Sequence, residues 1–203
     1  CSKFQVHDDY YTPFSAWENI RHLIPEGTVI WEACMLNAHR SESSKYLKSL
    51  GFKVKRNTEK DMLTWQPKKW DMVITNPPFE TTLKKQILTR LVDLDKPFII
   101  IMNSMNTFTK YMRSIFKDKL QHLQVITPNG KICFTKLDYE TGELIPTKDC
   151  SFYCVYLAYK MNLRPDQLWL TGEEDLEKEK VHQKLKSDVM EIRKSLTNLS
   201  KSQ

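Results

Sequence analysis

Glycine is scarce in this chain of 203 residues: only five are present, where a soluble protein of this length carries roughly fourteen at about 7% usage. The five lie far apart, at positions 27, 51, 130, 142 and 172. Neither a Gly-x-Gly-x-x-Gly fingerprint nor a Walker-type phosphate loop can be written anywhere in the sequence. The sequence therefore excludes the two familiar glycine-rich nucleotide-binding loops.

Long apolar runs are missing as well. No stretch approaches the ~18 consecutive apolar residues that indicate a membrane-spanning helix, so we expect no membrane association. The opening segment CSKFQVHDDYYTPF lacks the apolar centre of a secretory signal, which predicts an intracellular protein of the cytoplasm or nucleus. The hydrophobic fraction of 40%, with 11% aromatics, is sufficient for one ordinary core and argues against a disordered chain.

Cysteine is too sparsely placed to suggest a metal centre. Of the five cysteines, Cys150 and Cys154 form the best zinc half-site, but no second Cys or His pair of suitable spacing follows them. Both lie on one face of the strand-like run CSFYCVYLAY, which favours buried free thiols. We therefore expect no bound metal.

Basic residues outnumber acidic ones by 31 to 25, a net charge of +6. From residue 173 onward seven basic and seven acidic residues cancel, so the whole excess lies in residues 1–172. The segments 52–70 and 105–136 are the most basic. Local basic patches favour a polyanionic partner, although the charge alone is equally compatible with an ordinary solvated surface.

Apolar segments alternate with amphipathic ones along the first 160 residues. The segments TVIW, FKVKR, DMVIT and FIIIM predict strands, and residues 15–24, 43–50, 81–94 and 107–120 predict helices. This alternation predicts an α/β fold with a doubly wound, mostly parallel sheet, since short fully apolar strands are typical of sheets covered on both faces. The later segments LQVITP, KICFTKL and SFYCVYLAYK predict further strands, with an antiparallel pair at one edge.

The last 31 residues differ from the rest. They predict a charged, amphipathic C-terminal helix over 173–203, separate from a domain over 1–172. Apolar residues follow a 4-3-4-3 spacing at Leu185, Val189, Ile192, Leu196 and Leu199. About two heptads are too few to settle between packing on the helix's own domain and a seam, at residues 181–199, for a homodimer or a partner protein.

The strongest local motif is Asn76-Pro77-Pro78-Phe79, directly after the apolar run DMVIT. In a parallel sheet this places the motif outside the carboxyl end of a strand, where ligands bind. Two prolines stiffen the loop and remove competing amide hydrogens. The loop presents an amide side chain, a carbonyl and an aromatic ring, which together suit a planar base with an exocyclic amine, although Asn-Pro also punctuates ordinary turns.

This motif resembles that of the class I S-adenosylmethionine-dependent amino-methyltransferases, and the Asn-Pro-Pro-Phe form is most similar to the adenine-N6 enzymes acting on nucleic acid. Tyr11-Thr12-Pro13, just before the first predicted helix, resembles an element that touches the cofactor in many of them. The resemblance covers about residues 10–160 and extends to compact phage and large-DNA-virus types. It implies a Rossmann-like methyltransferase sheet, with Asn76, Pro77, Pro78 and Phe79 as the catalytic residues.

The resemblance also implies an S-adenosylmethionine site next to the first two strands. The residues that it assigns to the cofactor are Tyr11, Thr12, Pro13, Glu32, Ala33, Asn57, Asp61 and Met62. The sequence departs from the family in the loop at 34–43, which contains no glycine where a close backbone approach to the cofactor is expected. For Glu32 and Asp61, a role as a helix cap or a loop acid is the alternative.

The resemblance implies methyl transfer to N6 of adenine in DNA, with the base flipped out of the stack. The residues expected to contact nucleic acid are Lys110, Arg113, Lys117 and Lys131. Two alternatives stay open: an inactive methyltransferase-like scaffold that binds nucleic acid or a partner, and an enzyme acting on the amine of adenine or guanine in RNA.

Overall fold

A computed structural model describes residues 10–34, 41–57, 60–138, 140–147 and 152–172. The helices within these ranges are α1 (Phe14–Glu18), α2 (Glu42–Ser49), α3 (Thr81–Leu94) and α4 (Lys110–Phe116). The strands are β1 (Val29–Glu32), β2 (Lys53–Arg56), β3 (Met72–Thr75), β4 (Phe98–Asn103), β5 (Leu123–Ile126), β6 (Thr135–Leu137), β7 (Leu144–Pro146) and β8 (Cys154–Tyr159). The chain divides into two units, Cys1–Leu170 and Thr171–Gln203. The predicted helix over 173–203, with its seam, lies outside the described residues.

Six of the strands form one sheet in the order β2-β1-β3-β4-β8-β5. The strands β2, β1, β3 and β4 run parallel, while β8 is antiparallel to both of its neighbours. The predicted α/β class with a mostly parallel sheet is confirmed. The predicted antiparallel pair at one edge is also confirmed, since β8 and β5 run antiparallel to each other there, and β6 pairs with β7 in a separate two-stranded sheet.

Both faces of the main sheet are buried. Along β4 the residues Ile99 and Ile101 pack into a core with α1 and α2, whereas Phe98, Ile100 and Met102 pack into a second core with α3 and α4. This alternation follows from the two-residue side-chain period of a strand. Because both faces bury apolar residues, β3 and β4 read as continuous apolar runs, and the fold is doubly wound.

The helices agree with the sequence patterns to different degrees. The helix predicted at 81–94 is confirmed, with both bounds as predicted. Glu80 caps its start by accepting hydrogen bonds from the amides of Thr82 and Leu83. The segment predicted as a helix at 107–120 is interrupted: a 3₁₀ turn covers Ser104–Phe108, and α4 begins only at Lys110. The side chain of Asn103 accepts from the Met105 amide and so starts the turn.

The first helix is also shorter than the pattern at 15–24 suggests. The α-helical part is Phe14–Glu18, with Pro13 at its N-cap position, and a 3₁₀ turn follows at Arg21–Leu23. The apolar spacing is still satisfied, because Ile20 and Leu23 are buried in the core. Local turns can therefore bury the same residues that a regular helix would.

The described part of the chain contains no helix long and apolar enough to cross a membrane. Cys34 and Cys133 are free thiols, and Cys154 is buried as expected, while Cys150 lies outside the described residues. Within the same ranges, no group of three or more His, Cys, Asp or Glu side chains is placed to hold a metal ion.

Candidate functional site

The order in which successive strands are added to the sheet reverses between β1 and β3. The strand after β1 lies on one side of it, and the next strand, β3, lies on the other. Ligands of open α/β sheets bind at such a switch point, outside the carboxyl ends of the strands. Glu32 ends β1 and Asn76 directly follows β3, so the fold brings the predicted cofactor and catalytic segments to the same crevice.

A single hydroxyl group joins these two strand ends. The Cys34 amide donates to Oγ1 of Thr75 over 2.9 Å, and the same hydroxyl lies 3.4 Å from the Cys34 carbonyl oxygen. Thr75 is fully buried as the last residue of β3. The position of the loop after β1 is therefore fixed relative to the start of the Asn-Pro-Pro-Phe loop.

Asn76 has a buried side-chain oxygen that accepts no hydrogen bond from the part of the chain that the structure describes. Buried acceptors are almost always paired, because leaving one unpaired costs about 1–3 kcal/mol. Pro77 and Pro78 follow directly and contribute no amide hydrogen to satisfy it. A buried acceptor without a described donor, at a position where α/β sheets bind ligands, is available to a ligand.

Phe79 belongs to an aromatic cluster that we define as Tyr10, Phe79, Phe134 and Phe152. The Phe79 ring centroid lies 4.8 Å from that of Phe152, 5.8 Å from that of Phe134 and 6.3 Å from that of Tyr10. The rings meet in tilted or edge-on geometries, which aromatic pairs favour. The cluster holds Phe79 beside the crevice as a half-buried, rigid apolar surface.

Helix α3 holds the C-terminal end of the loop from Asn76 to Phe79. Lys84 is buried, and its Nζ donates to the carbonyl oxygen of Phe79 over 3.0 Å. Glu80 caps the same helix, and the backbone amides of Leu83 and Thr82 hold the pKa of its carboxyl below the usual range. The loop from Asn76 to Phe79 is thus attached at both ends to regular structure.

The Tyr11-Thr12-Pro13 segment lies next to the Asn-Pro-Pro-Phe loop. Tyr11 exchanges backbone hydrogen bonds with Thr135 over 2.8 and 3.0 Å, Thr12 is buried, and Pro13 immediately precedes α1. Its neighbour Tyr10 contacts Phe79 within the aromatic cluster. The structure therefore places together two motifs that are more than sixty residues apart in the sequence.

Glu32 is a buried acid at the carboxyl end of β1. Burial raises its pKa from 4.5 to about 7, although the hydroxyl groups of Ser41 and Ser44 donate to Oε2 over 2.8 and 3.0 Å and partly oppose the shift. Ser41 also caps α2 by accepting from the Ser44 amide. Burying an acid with a raised pKa at a crevice is typical of a functional position. Ala33 follows it and is buried as well.

The other predicted cofactor residues have different surroundings. Asn57, at the end of β2, is buried; its Oδ1 accepts from Trp31 over 2.7 Å and its Nδ2 donates to the Ala33 carbonyl over 3.1 Å. Asp61 is exposed and accepts from the Leu63 amide. Met62 is buried with its sulfur 3.5 Å from that of Cys34, so this segment reaches the loop after β1.

The predicted nucleic-acid contacts do not form one patch. Lys110, at the start of α4, lies toward the carboxyl edge of the sheet, and Lys131 lies in the loop after β5 at the same edge. Lys117 ends α4 near the opposite edge, beside the segment where Lys119 pairs with Asp95. Arg113 lies between these ends. All four side chains are exposed, but two of them alone belong to the edge that holds the crevice.

Several residues of the crevice gave no signal of their own in the sequence. Thr75 ends an apolar strand, Lys84 lies within an amphipathic helix, and Tyr10, Phe134 and Phe152 are scattered aromatics. Their roles depend on contacts across the fold. The spacing Ser41-x-x-Ser44 before a helix is the one exception, because it is typical of an N-cap.

No family model matches this chain, and no curated protein matches it. The solved structures that match it include the following three. A candidate class I S-adenosylmethionine-dependent methyltransferase of Listeria monocytogenes is 10% identical with a TM-score of 0.49, and the match covers 81% of this chain and 65% of that one. An S-adenosylmethionine-dependent O-methyltransferase of Thermotoga maritima is 12% identical with a TM-score of 0.35, covering 74% of this chain and 65% of that one.

The third structure is precorrin-6y C5,15-methyltransferase of Geobacter metallireducens, 12% identical with a TM-score of 0.39, covering 77% of this chain and 98% of that one. The chain spans 65% of the length of the Listeria and Thermotoga proteins. Likeness at this level leaves the chemistry to be argued from the residues of the crevice.

Proposed function

We propose that this protein transfers a methyl group from S-adenosylmethionine to the exocyclic N6 amine of adenine in DNA. The observation that carries the proposal is the buried Oδ1 of Asn76, which has no donor among the described residues. It lies at the switch point and is followed by two prolines and an aromatic ring. An exocyclic amine on a planar base supplies the missing donor and fits the ring beside it.

The β1 side of the crevice fits S-adenosylmethionine, which carries an ammonium group, a sulfonium and an adenine. Glu32 is the counter-charge for the ammonium group, since a cation beside this buried acid favours its ionised form. Met62 supplies an apolar wall beside Cys34, and Asp61 supplies an exposed carboxylate. Ala33, Asn57 and the segment Tyr11–Pro13 complete the proposed set. When bound, the cofactor supplies an electrophilic methyl group.

The catalytic loop acts on the amine of the target base. Asn76 Oδ1 accepts one N–H and the Pro77 carbonyl accepts the other, which draws the nitrogen lone pair out of conjugation with the ring. Pro78 keeps the loop stiff, and Phe79 stacks on the base, an interaction worth about 1–3 kcal/mol. For the transfer to balance, the amine nitrogen would gain the methyl carbon as the carbon–sulfur bond of the cofactor broke to leave a thioether, and it would release one proton to solvent. Positioning and hydrogen bonding supply the rate enhancement.

The direct test is methyl transfer to DNA with a labelled cofactor. We expect wild-type protein to label adenine at N6 and Asn76→Ala to lose the activity, while Asn19→Ala, an exposed asparagine after α1, retains it. Equal labelling by wild type and Asn76→Ala would overturn the assignment. An RNA strand of the same sequence separates the two nucleic acids: preference for RNA would replace DNA as the substrate.

Calorimetric titration with S-adenosylmethionine tests the cofactor independently of any substrate. We expect binding by wild-type protein and weaker binding by Glu32→Gln, which keeps a hydrogen-bond acceptor for Ser41 and Ser44 but not the charge. Absence of binding by folded wild-type protein would favour the inactive scaffold, which the glycine-free loop at 34–43 otherwise motivates.

A further inference from the structure

The surface beside the crevice carries large side chains that the fold does not bury. Met105, Phe108 and Tyr153 are 68%, 81% and 66% exposed, whereas half of the other aromatic residues that the structure describes are buried. Exposed lysines flank them at Lys110 and Lys131. We call these five residues the rim. Exposed apolar groups collected in one place mark an interaction site.

The rim lies on the side of the crevice away from the proposed cofactor site. Thr75 pairs with Ile100, so β4 continues three residues beyond the end of β3, about 10 Å at ~3.3 Å per residue. The 3₁₀ turn that carries Met105 and Phe108 follows directly. The Ser104 amide donates to the Tyr153 carbonyl over 2.8 Å, which joins this turn to the segment before β8.

Side-chain hydrogen bonds hold the turn in one conformation. Asn103 accepts from the Met105 amide over 2.9 Å, and Thr107 donates to the Ser104 carbonyl over 2.7 Å. Asn106 donates to the Asn103 carbonyl and accepts from the hydroxyl of Tyr111 over 2.6 Å. Phe108 is therefore presented to solvent by a pre-organised turn, which lowers the entropic cost of binding.

The charges of the rim favour an anionic partner. Residues 104–116 contain Lys110 and Arg113 but no acidic residue. Nζ of Lys131 lies 5.6 Å from the centroid of the Tyr153 ring, so a cation and an exposed aromatic face are adjacent. Aromatic faces interleaved with lysines are typical of surfaces that stack bases and contact phosphates.

We propose that the rim binds the DNA nucleotides next to the target adenine, with Phe108 and Tyr153 stacking on bases and Lys110 and Lys131 contacting phosphates. This inference rests on the proposed function, because it places the rim where a strand entering the crevice passes. It also supplies a recognition surface that needs no separate domain. Stacking by Phe108 compensates for the base stacking lost when the adenine is flipped out.

The test measures DNA binding without cofactor. Binding is monitored by the fluorescence anisotropy of a labelled, adenine-containing strand and of its duplex. We expect Phe108→Ala to weaken binding about tenfold, consistent with a base–aromatic stack, and Phe108→Trp to restore it. Lys110→Gln and Lys131→Gln should each reduce the salt slope of binding by about one. Leu120→Ala and Lys48→Gln, exposed residues outside the rim, serve as controls.

Equal binding by wild type, Phe108→Ala and Leu120→Ala would overturn the proposal that the rim binds DNA, whether or not the enzyme methylates DNA. Stronger rim-dependent binding of an RNA strand of the same sequence would overturn DNA as the partner. Rim-dependent DNA binding by a wild-type protein that transfers no methyl group would support the rim and overturn the proposed function. The two conclusions therefore fail through different measurements.

Discussion

The two edges of the parallel sheet differ in how completely their polar groups are paired. At the amino edge, the Asp95 carboxylate accepts from Lys160, from the hydroxyl of Tyr159 and from Lys119, over 2.6, 2.7 and 3.1 Å. At the carboxyl edge, the buried oxygen of Asn76 accepts from no described residue, and Glu32 is an acid whose burial opposes its charge. Saturated groups stabilise a fold, whereas unsatisfied groups are available to a ligand. The comparison separates the structural edge from the functional one.

The largest expected effect comes from Asn76→Ala. The proposed reaction should slow by on the order of 10²–10³-fold, as is typical when one pre-organised hydrogen-bonding group of an active site is removed. Stability should not decrease in proportion, because the lost acceptor has no described partner. Initial rates and a thermal unfolding curve on the same preparation check both parts. A large fall in Tm would mean that Asn76 is structural.

The second prediction concerns the pH dependence of Glu32. Folding raises the pKa of this group from 4.5 to about 7, so between these values the folded state binds a proton that the unfolded chain has released. Stability should therefore fall as the pH rises through this interval, by an amount on the order of 3 kcal/mol at ~1.4 kcal/mol per pKa unit. Denaturant titrations across the interval measure the slope.

Glu32→Gln is the control for this slope, since it retains the acceptor oxygen and cannot titrate. We expect the variant to lose most of the pH dependence and to exceed wild type in stability above pH 7. Parallel pH profiles for the two proteins would show that another group carries the effect.

The third prediction applies to the amino edge. Asp95→Asn keeps a residue that tolerates the left-handed backbone at φ 54° but loses the charge paired with Lys160 and Lys119. The lysine and tyrosine donors hold the pKa of Asp95 well below its usual range, so its contribution is present at neutral pH and disappears in strong acid. We expect a modest fall in Tm at pH 7 and unchanged methyl transfer. A loss of activity without a fall in Tm would contradict the division between the edges.

The smallest expected effect compares two lysines on one helix. Lys110 starts α4 at the carboxyl edge and Lys117 ends it near the amino edge. Lys110→Gln should lower the salt slope of DNA binding by about one, and Lys117→Gln should leave it nearly unchanged. Equal changes for the two variants would indicate that DNA contacts the whole length of α4.

The fold class could be predicted because its evidence is local. Strands β3 and β4 are buried on two faces and are therefore continuous apolar runs. Helix α3 is buried on one face and therefore has apolar residues at helical spacing. The place of β8 between β4 and β5 could not be predicted, because periodicity identifies a strand without identifying its partners. The break before α4 was missed because Asn103 and Thr107 bond to the backbone locally and compete with the helix.

The candidate site was predictable only where one continuous motif carries it. The Asn-Pro-Pro-Phe segment indicated its own position directly after a strand, and its chemistry stays a prediction. The contacts that surround it join distant segments, such as Lys84 to Phe79 or Tyr10 to Phe134. The hydrogen bonds of Asn57 to Trp31 and Ala33 could not be predicted either, because they join residues that are distant in the sequence.

The hydrogen bonds between Thr75 and Cys34 have a consequence for how the two reactants meet. They join the ends of β1 and β3, which are adjacent strands spaced about 4.8 Å apart. In the proposed reaction, the residues that would hold the methyl donor and those that would hold the receiving amine are therefore positioned relative to each other by the spacing of the strands rather than by loop closure. A glycine-poor loop is compatible with this arrangement, because the strand spacing, which thermal motion barely changes, already determines the alignment.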